Sequence, residues 1–238
     1  MIGYKLKSPF FIKKIFRKIR WHLNFGNSQK YWEQRYRSGG GSGPGSHGRL
    51  AAFKAQILND FVQHNDIQSV MEFGFGDGSQ LQLARYPSYL GVEVSHSALA
   101  AASNSHSARP NFKLIHMADL QPHHKAELVL SLDVVYHLIE DHIFHEHMRS
   151  LFDHTNRYVI IYSSSDTRLS PAPHVRHRNF KEWIAKNRPD YRLISQTPNR
   201  HPFDPTQPEQ TSFADFFIYG LFNGSDFCQG RMANETVS

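Results

Sequence analysis

The stretch "VMEFGFGDGS", residues 70–79, narrows most what this chain can become. Apolar residues around Glu72 read as a short buried strand, and Gly74, Gly76 and Gly78 follow at alternate positions. Glycine takes up left-handed backbone without a Cβ penalty, so this spacing marks a sharp turn whose backbone approaches something closely. A strand, a glycine turn and a following helical stretch open a strand-helix-strand unit, in which free N–H groups of the turn face a ligand.

The surrounding pattern continues that unit. "RLAAFKAQILNDFV" carries apolar residues at Leu50, Phe53, Ile57, Leu58 and Phe61, one helical face, ahead of the first strand. After the turn a short helix is expected over "SQLQLAR", then strands at "YLGVEV", "FKLIHM", "ELVLSL" and "YVIIYS", with helices at "SHSALAAAS" and "HLIEDHIFHEHMRSLF" between them. Strands spaced by helices imply an α/β fold with a parallel sheet covered on both faces. The last two strands, "YRLISQ" and "SFADFFIYG", are joined by a proline-rich segment with no helical period, so antiparallel pairing is expected there.

Charge divides the chain. The sequence pI is 9.4, yet residues 1–32 hold eight Lys or Arg and no acid, leaving 19 bases against 21 acids in the remainder. A nucleic-acid partner is therefore not expected for the body. In "IKKIFRKIRWHL" Ile12, Ile15, Phe16, Ile19 and Leu23 share one helical face and the Lys and Arg residues the other. Residues 10–25 fit a helix lying on an anionic membrane surface, a mitochondrial presequence less well, or a helix packed on the domain with a solvated basic face. The expected organisation is a basic amphipathic helix (1–30), an aromatic and glycine-rich segment (31–49), one α/β domain (50–222) and a flexible tail (223–238). A single cysteine, Cys228, fits a reducing compartment, so a cytoplasmic protein with peripheral contact at the inner face of a membrane is expected.

The ligand of the turn is constrained by what flanks it. A dinucleotide-binding Gly-x-Gly-x-x-Gly would place its third glycine at position 79, where this chain has Ser79, and the carboxylates Glu72 and Asp77 oppose a pyrophosphate. They suit a ligand carrying positive charge. Here the sequence resembles the class I S-adenosylmethionine (SAM)-dependent methyltransferases, matching their acidic residue and Gly-x-Gly-x-Gly at Glu72, Gly74, Gly76 and Gly78, with Asp77 inside the turn. The resemblance implies Glu93, at the end of "LGVEV", for the ribose hydroxyls and Asp119, in "HMADL", for the adenine amine. It implies also that "LVLSLDVVYHL" runs beside the transferred methyl, with Asp133 and His137 at its ends. A Rossmann-like seven-stranded sheet, mostly parallel with an antiparallel last strand, and SAM as cofactor follow from the same resemblance. Patterns around "YWEQRYRSGGGSGPGSHGRLAAFKA" and "PAPHVRHRNF" are similar to a narrower bacterial group of methyltransferase domains.

Methyl transfer needs alignment and, for a hydroxyl or amine acceptor, a group that takes a proton. Asp133 and His137 are the candidate catalytic residues; the plainer alternatives are a helix cap and a polar group in a first helical turn. His174, Arg176, His177 and Arg178 lie in a loop after the fifth strand, where open α/β sheets bind ligands, and suit an anionic or polyhydroxylated acceptor. A solvated basic loop is the rival. The 16 histidines include no His-Glu-x-x-His and have no cysteine partners, so no metal site is expected. The acceptor class spans small molecules and glycans, including a lipid-linked sugar; a catalytically silent SAM-fold interaction protein and an NAD-dependent oxidoreductase are the alternatives. The six glycines between Gly39 and Gly48 lack the Gly-Lys-Ser/Thr ending of a phosphate loop and follow no expected strand, so this segment is read as a mobile lid, with a plain linker as its rival.

Overall fold

The computed structural model describes residues 27–106, 108–170 and 172–222. The basic segment 10–25 and the tail 223–238 lie outside the described residues. Strands β1 (Val70–Phe73), β2 (Tyr89–Glu93), β3 (Phe112–His116), β4 (Ala126–Leu132), β5 (Thr155–Ser163), β6 (Tyr191–Thr197) and β7 (Asp215–Leu221) form one sheet in the order β3-β2-β1-β4-β5-β7-β6. β1 to β5 run parallel, and β7 pairs antiparallel with both β5 and β6.

The described helices are α1 (Ser28–Arg37), α2 (Gly48–His64), α3 (His96–His106), α4 (Asp141–Asp153) and α5 (Phe180–Asn187). They cover both faces because the central strands are apolar on both. Val70, Leu128, Leu130 and Ile160 pack with Phe53, Leu58 and Val62 of α2, while Met71, Phe73, Val129 and Ile161 pack with Met148, Leu151 and Phe152 of α4. The alternation of strand side chains sends neighbouring residues into these two separate cores. Among the described residues no helix is long and apolar enough to cross a membrane.

Three local expectations change. "YWEQRY" is helical, and α1 runs across the expected boundary at residue 30. "SQLQLAR" makes only a 3-10 turn, Gln80–Leu83. The long helix expected from His137 starts at Asp141, after a 3-10 turn Val135–His137. Its backbone is claimed from outside: Arg178 donates to the carbonyls of Leu138 and Ile139, and the Ile139 N–H donates to Ser28 Oγ at 3.2 Å. Residues bonded in that way are not available to a helical ladder.

The strand order reverses between β1 and β4, since β2 and β3 lie to one side of β1 and β4 to the other. That switch point, at the carboxyl ends of the strands, is where ligands enter open α/β sheets. The glycine turn leaves the end of β1 there, and Asp133 leaves the end of β4.

Candidate active site

The turn after β1 has left-handed backbone at each alternate glycine, with φ of +82° at Gly74, +65° at Gly76 and +77° at Gly78. None has room for a side chain. A Cβ on Gly74 would come 2.7 Å from Val134 Cγ2, one on Gly78 would come 2.9 Å from His106 Nε2, and one on Gly76 would overlap Ser42 and Tyr36. Glu93, 4% exposed at the end of β2, accepts the N–H groups of Gly76 (2.9 Å), Val94 (2.8 Å) and Ser95 (3.0 Å). Burial raises its pKa, and these three donors act against the rise. Glu72 is buried in β1, accepts the Tyr89 hydroxyl at 2.8 Å, and is pushed up to about 7 chiefly by desolvation.

Asp133 takes an unusual backbone, φ +60°, one of two non-glycine residues with positive φ among those described. Its carboxylate accepts Lys54 Nζ at 2.6 Å and the Tyr136 hydroxyl at 2.7 Å. Lys54 reaches it from α2 with a side chain only 2% exposed. The helix-cap alternative for Asp133 is thus not what its side chain does.

Over these groups lies α1, fastened at three places. Glu140 accepts Ser28 N at 2.9 Å and Ser28 Oγ at 2.5 Å at its start. Glu33 accepts the hydroxyls of Ser95 (2.9 Å) and Ser97 (2.6 Å), placing a carboxylate at the N-terminus of α3, where the helix dipole favours it. In its last turn Tyr36 bonds Ser42 at 3.0 Å, Ser42 N donates to Asp77 Oδ2 at 2.8 Å, and Asp77 N donates to Ser42 Oγ at 3.0 Å. Burial raises the pKa of Asp77, but the hydrogen bonds from Ser79 and Ser42 outweigh it and hold the carboxyl below its usual value. The glycine segment after α1 is therefore tied to the turn after β1, and a Cβ on Gly45 would come 2.8 Å from Asp133 Oδ2.

Between roof and sheet is a cavity of about 770 Å³, within the size range of small-molecule sites. Glu72, Gly74, Gly76, Glu93, Asp133, His137 and His174 line it. Asp77 and Gly78 shape the turn without lining the cavity, and Asp119 is exposed on a 3-10 turn beside the lining residue Met117. The expected loop set divides. His174 reaches the cavity, whereas Arg176, His177 and Arg178 line a second groove on the far side of the loop. Arg178 serves the backbone at Leu138 and Ile139, and Asp141 at 2.6 Å, so it holds the chain next to His137.

His137 Nδ1 lies 2.8 Å from the His174 carbonyl, a contact that only an N–H can make, which leaves Nε2 as the nitrogen with the lone pair. Burial depresses both imidazoles to about 4; at His174 the Arg35 charge adds to the effect. Tyr31 stacks on His174 at 4.8 Å, and Trp32 meets the edge of His137 at 4.8 Å. Sequence reasoning missed Lys54, Trp32, Arg35 and Tyr136, which also line the cavity. The aromatic run "YWEQRY" was a signal for the roof; Lys54, one lysine in an amphipathic helix, gave none.

No family model matches the chain, and no curated protein matches it. Solved structures do. The methyltransferase domain of bacterial CtHen1-C aligns with a TM-score of 0.57 at 15% identity, covering 72% of this chain and 98% of that one. The N-methyltransferase NodS from Bradyrhizobium japonicum aligns with a TM-score of 0.57 at 9% identity over 74% and 98%. Magnesium protoporphyrin IX methyltransferase from Synechocystis, with bound SAM, aligns with a TM-score of 0.56 at 14% identity over 93% and 100%. At such identities the likeness is one of architecture, and with the strand order above it is specific: the chain has the class I SAM-dependent methyltransferase fold.

Proposed function

We propose that this chain is a SAM-dependent methyltransferase that moves a methyl group to an oxygen or nitrogen of a small-molecule or glycan acceptor. The observation that carries this reading is the donor set of the cavity. SAM bears a sulfonium, an ammonium, a carboxylate and a ribose diol. The cavity offers Glu72 and Glu93 as acceptors and a backbone turn that no Cβ could enter. It also offers Arg35, a guanidinium with no acidic partner among the described residues, whose Nε donates to Gly41 O at 2.7 Å. The residues fit the group: Glu72 and Gly74–Gly78 for the methionine end, Arg35 for its carboxylate and Glu93 for the ribose, while Asp119, exposed beside the lining residue Met117, is assigned to the adenine amine on the resemblance alone. When bound, SAM supplies an electrophilic methyl on sulfur.

The remaining work falls to the chain. His137, neutral at physiological pH and with Nε2 as its lone-pair nitrogen, takes the proton from an acceptor hydroxyl or amine. Asp133, occupied by Lys54 and Tyr136, acts as a positioning group that fixes the segment between β4 and His137. His174 and Trp32 meet the acceptor, and the segment 39–49 serves as a mobile lid over the cofactor mouth. Arg176, His177 and Arg178, placed outside the cavity, are not assigned to the acceptor in this reading. A lipid-linked sugar remains the acceptor that fits a basic segment 10–25 lying on an anionic membrane.

Isothermal titration with SAM tests the reading. Binding is expected, with a loss in Glu93→Ala; absence of binding at high micromolar SAM overturns it, and binding of NAD in place of SAM favours an oxidoreductase. Labelled-methyl transfer into fractionated cell extract separates enzyme from silent interaction protein, and label found only in protein excludes the glycan acceptor.

A further inference from the structure

The second groove, about 560 Å³, lies between α4, the loop 176–179 and α5. Helix α4 forms a wall of both spaces. His142, Ile143, Glu146 and His147 line the cavity, while His145 and Arg149 turn to the groove from the neighbouring face.

Four cations border the groove, Arg149, Arg176, Arg178 and Lys186, against the acids Asp141 and Glu182. Asp141 is shared, 3.0 Å from Arg176 and 2.6 Å from Arg178, and Glu182 accepts the Asn179 amide at 2.6 Å. Arg149 and Lys186 form no ion pair among the described residues, so the groove keeps an excess of two positive charges beside one flat apolar wall, Trp183. That indole is fixed by its own N–H, which donates to His145 Nδ1 at 2.6 Å. In a body with two more acids than bases, such a local excess is not an average property of the surface.

We propose that this groove binds a dianionic, phosphate-bearing group, with Arg149, Lys186 and the outer edge of Arg176 as its donors. Charge match selects the ligand: two uncompensated cations balance a phosphate monoester or diphosphate, and the guanidinium forks suit its oxygens. The site is distinct from the SAM cavity and does not depend on methyltransferase activity.

Calorimetric titration of the full chain with inorganic pyrophosphate at low ionic strength tests it. Binding is expected at one site, weakened by added salt, and on the order of tenfold or more weaker in Arg149→Ala/Lys186→Ala. It should be unchanged in Arg35→Ala, which alters only the SAM cavity. Both groove residues are exposed, and an unchanged melting temperature confirms that the variant folds. No binding by the natural chain, equal binding by the double variant, or a loss in Arg35→Ala alone overturns the proposal. The source of the phosphate is read by flotation with vesicles containing phosphatidic acid, whose headgroup is a phosphate monoester. A vesicle-binding loss in the double variant that parallels the pyrophosphate loss assigns a lipid headgroup, and undiminished vesicle binding assigns a soluble phosphate ester.

Discussion

Lys54 Nζ sits 2.6 Å from Asp133 Oδ2, joining the helix before the first strand to the residue that follows the fourth. The lysine side chain is 2% exposed and the aspartate 19%, so little water reaches the pair. Removing one partner strands the other charge, while removing both with matched volume leaves none. Lys54→Met is therefore expected to cost about 3 kcal/mol in urea unfolding, and Lys54→Met/Asp133→Asn, which removes both charges while keeping a side chain suited to the positive φ and an acceptor for Tyr136, to recover a large part of it. Equal losses in the single and double variants would mean that the two groups do not act as a pair.

Arg35→Ala should weaken SAM binding on the order of tenfold, the scale of one charge-assisted contact, while leaving the melting temperature close to that of the natural chain. A variant that binds SAM as before would move the carboxylate elsewhere in the cavity.

Gly76→Ala has two faults, a Cβ in left-handed backbone and an overlap with Ser42 and Tyr36. The backbone fault alone costs about 1–2 kcal/mol. The overlap must displace the Ser42 link between lid and turn, so SAM affinity is expected to fall together with stability. Chemical denaturation and calorimetry on one preparation measure both.

Ser42→Ala removes the side-chain half of the contact with Asp77 and Tyr36 but keeps the Ser42 N–H bond. If the segment 39–49 is a lid, the Michaelis constant for SAM should rise several-fold with little change in melting temperature. An unaltered constant returns the segment to a linker.

His147 Nε2 contacts Ser131 Oγ at 2.8 Å in the core, and burial lowers its pKa from 6.5 to about 4. The unfolded chain then binds more protons between those values, so stability present above pH 6.5 is lost as pH falls through that window, by about 3 kcal/mol for this residue. Glu72 acts in the opposite sense. Its pKa is raised from 4.5 to about 7, so its contribution is present below 4.5 and lost as pH rises through 7. Urea unfolding at pH 5 and pH 8 should show His147→Gln less sensitive to acid than the natural chain, and Glu72→Gln less sensitive to base.

Sequence patterns alone carry the sheet and the glycine turn that borders the cavity. Glycine at 74, 76 and 78 permits a left-handed turn that side-chain-bearing residues resist, and the alternation of strand and helix patterns points to a parallel sheet. Glu72 and Glu93 are legible because one lies a residue before the end of β1 and the other ends β2, and a strand end has a fixed address in this architecture. Tertiary structure decided what those patterns could not encode. Lys54 meets Asp133 across 79 residues of chain, α1 folds over the cavity through carboxylates at 33 and 140, and the helix expected from His137 gives way to bonds from Arg178 and Ser28. The loop 174–178 read as one basic unit; in space His174 turns to the cavity and Arg176 to the groove. Local periodicity is a property of neighbours along the chain, whereas a buried charge or a roofing helix is placed by partners that only the folded backbone brings within hydrogen-bond reach.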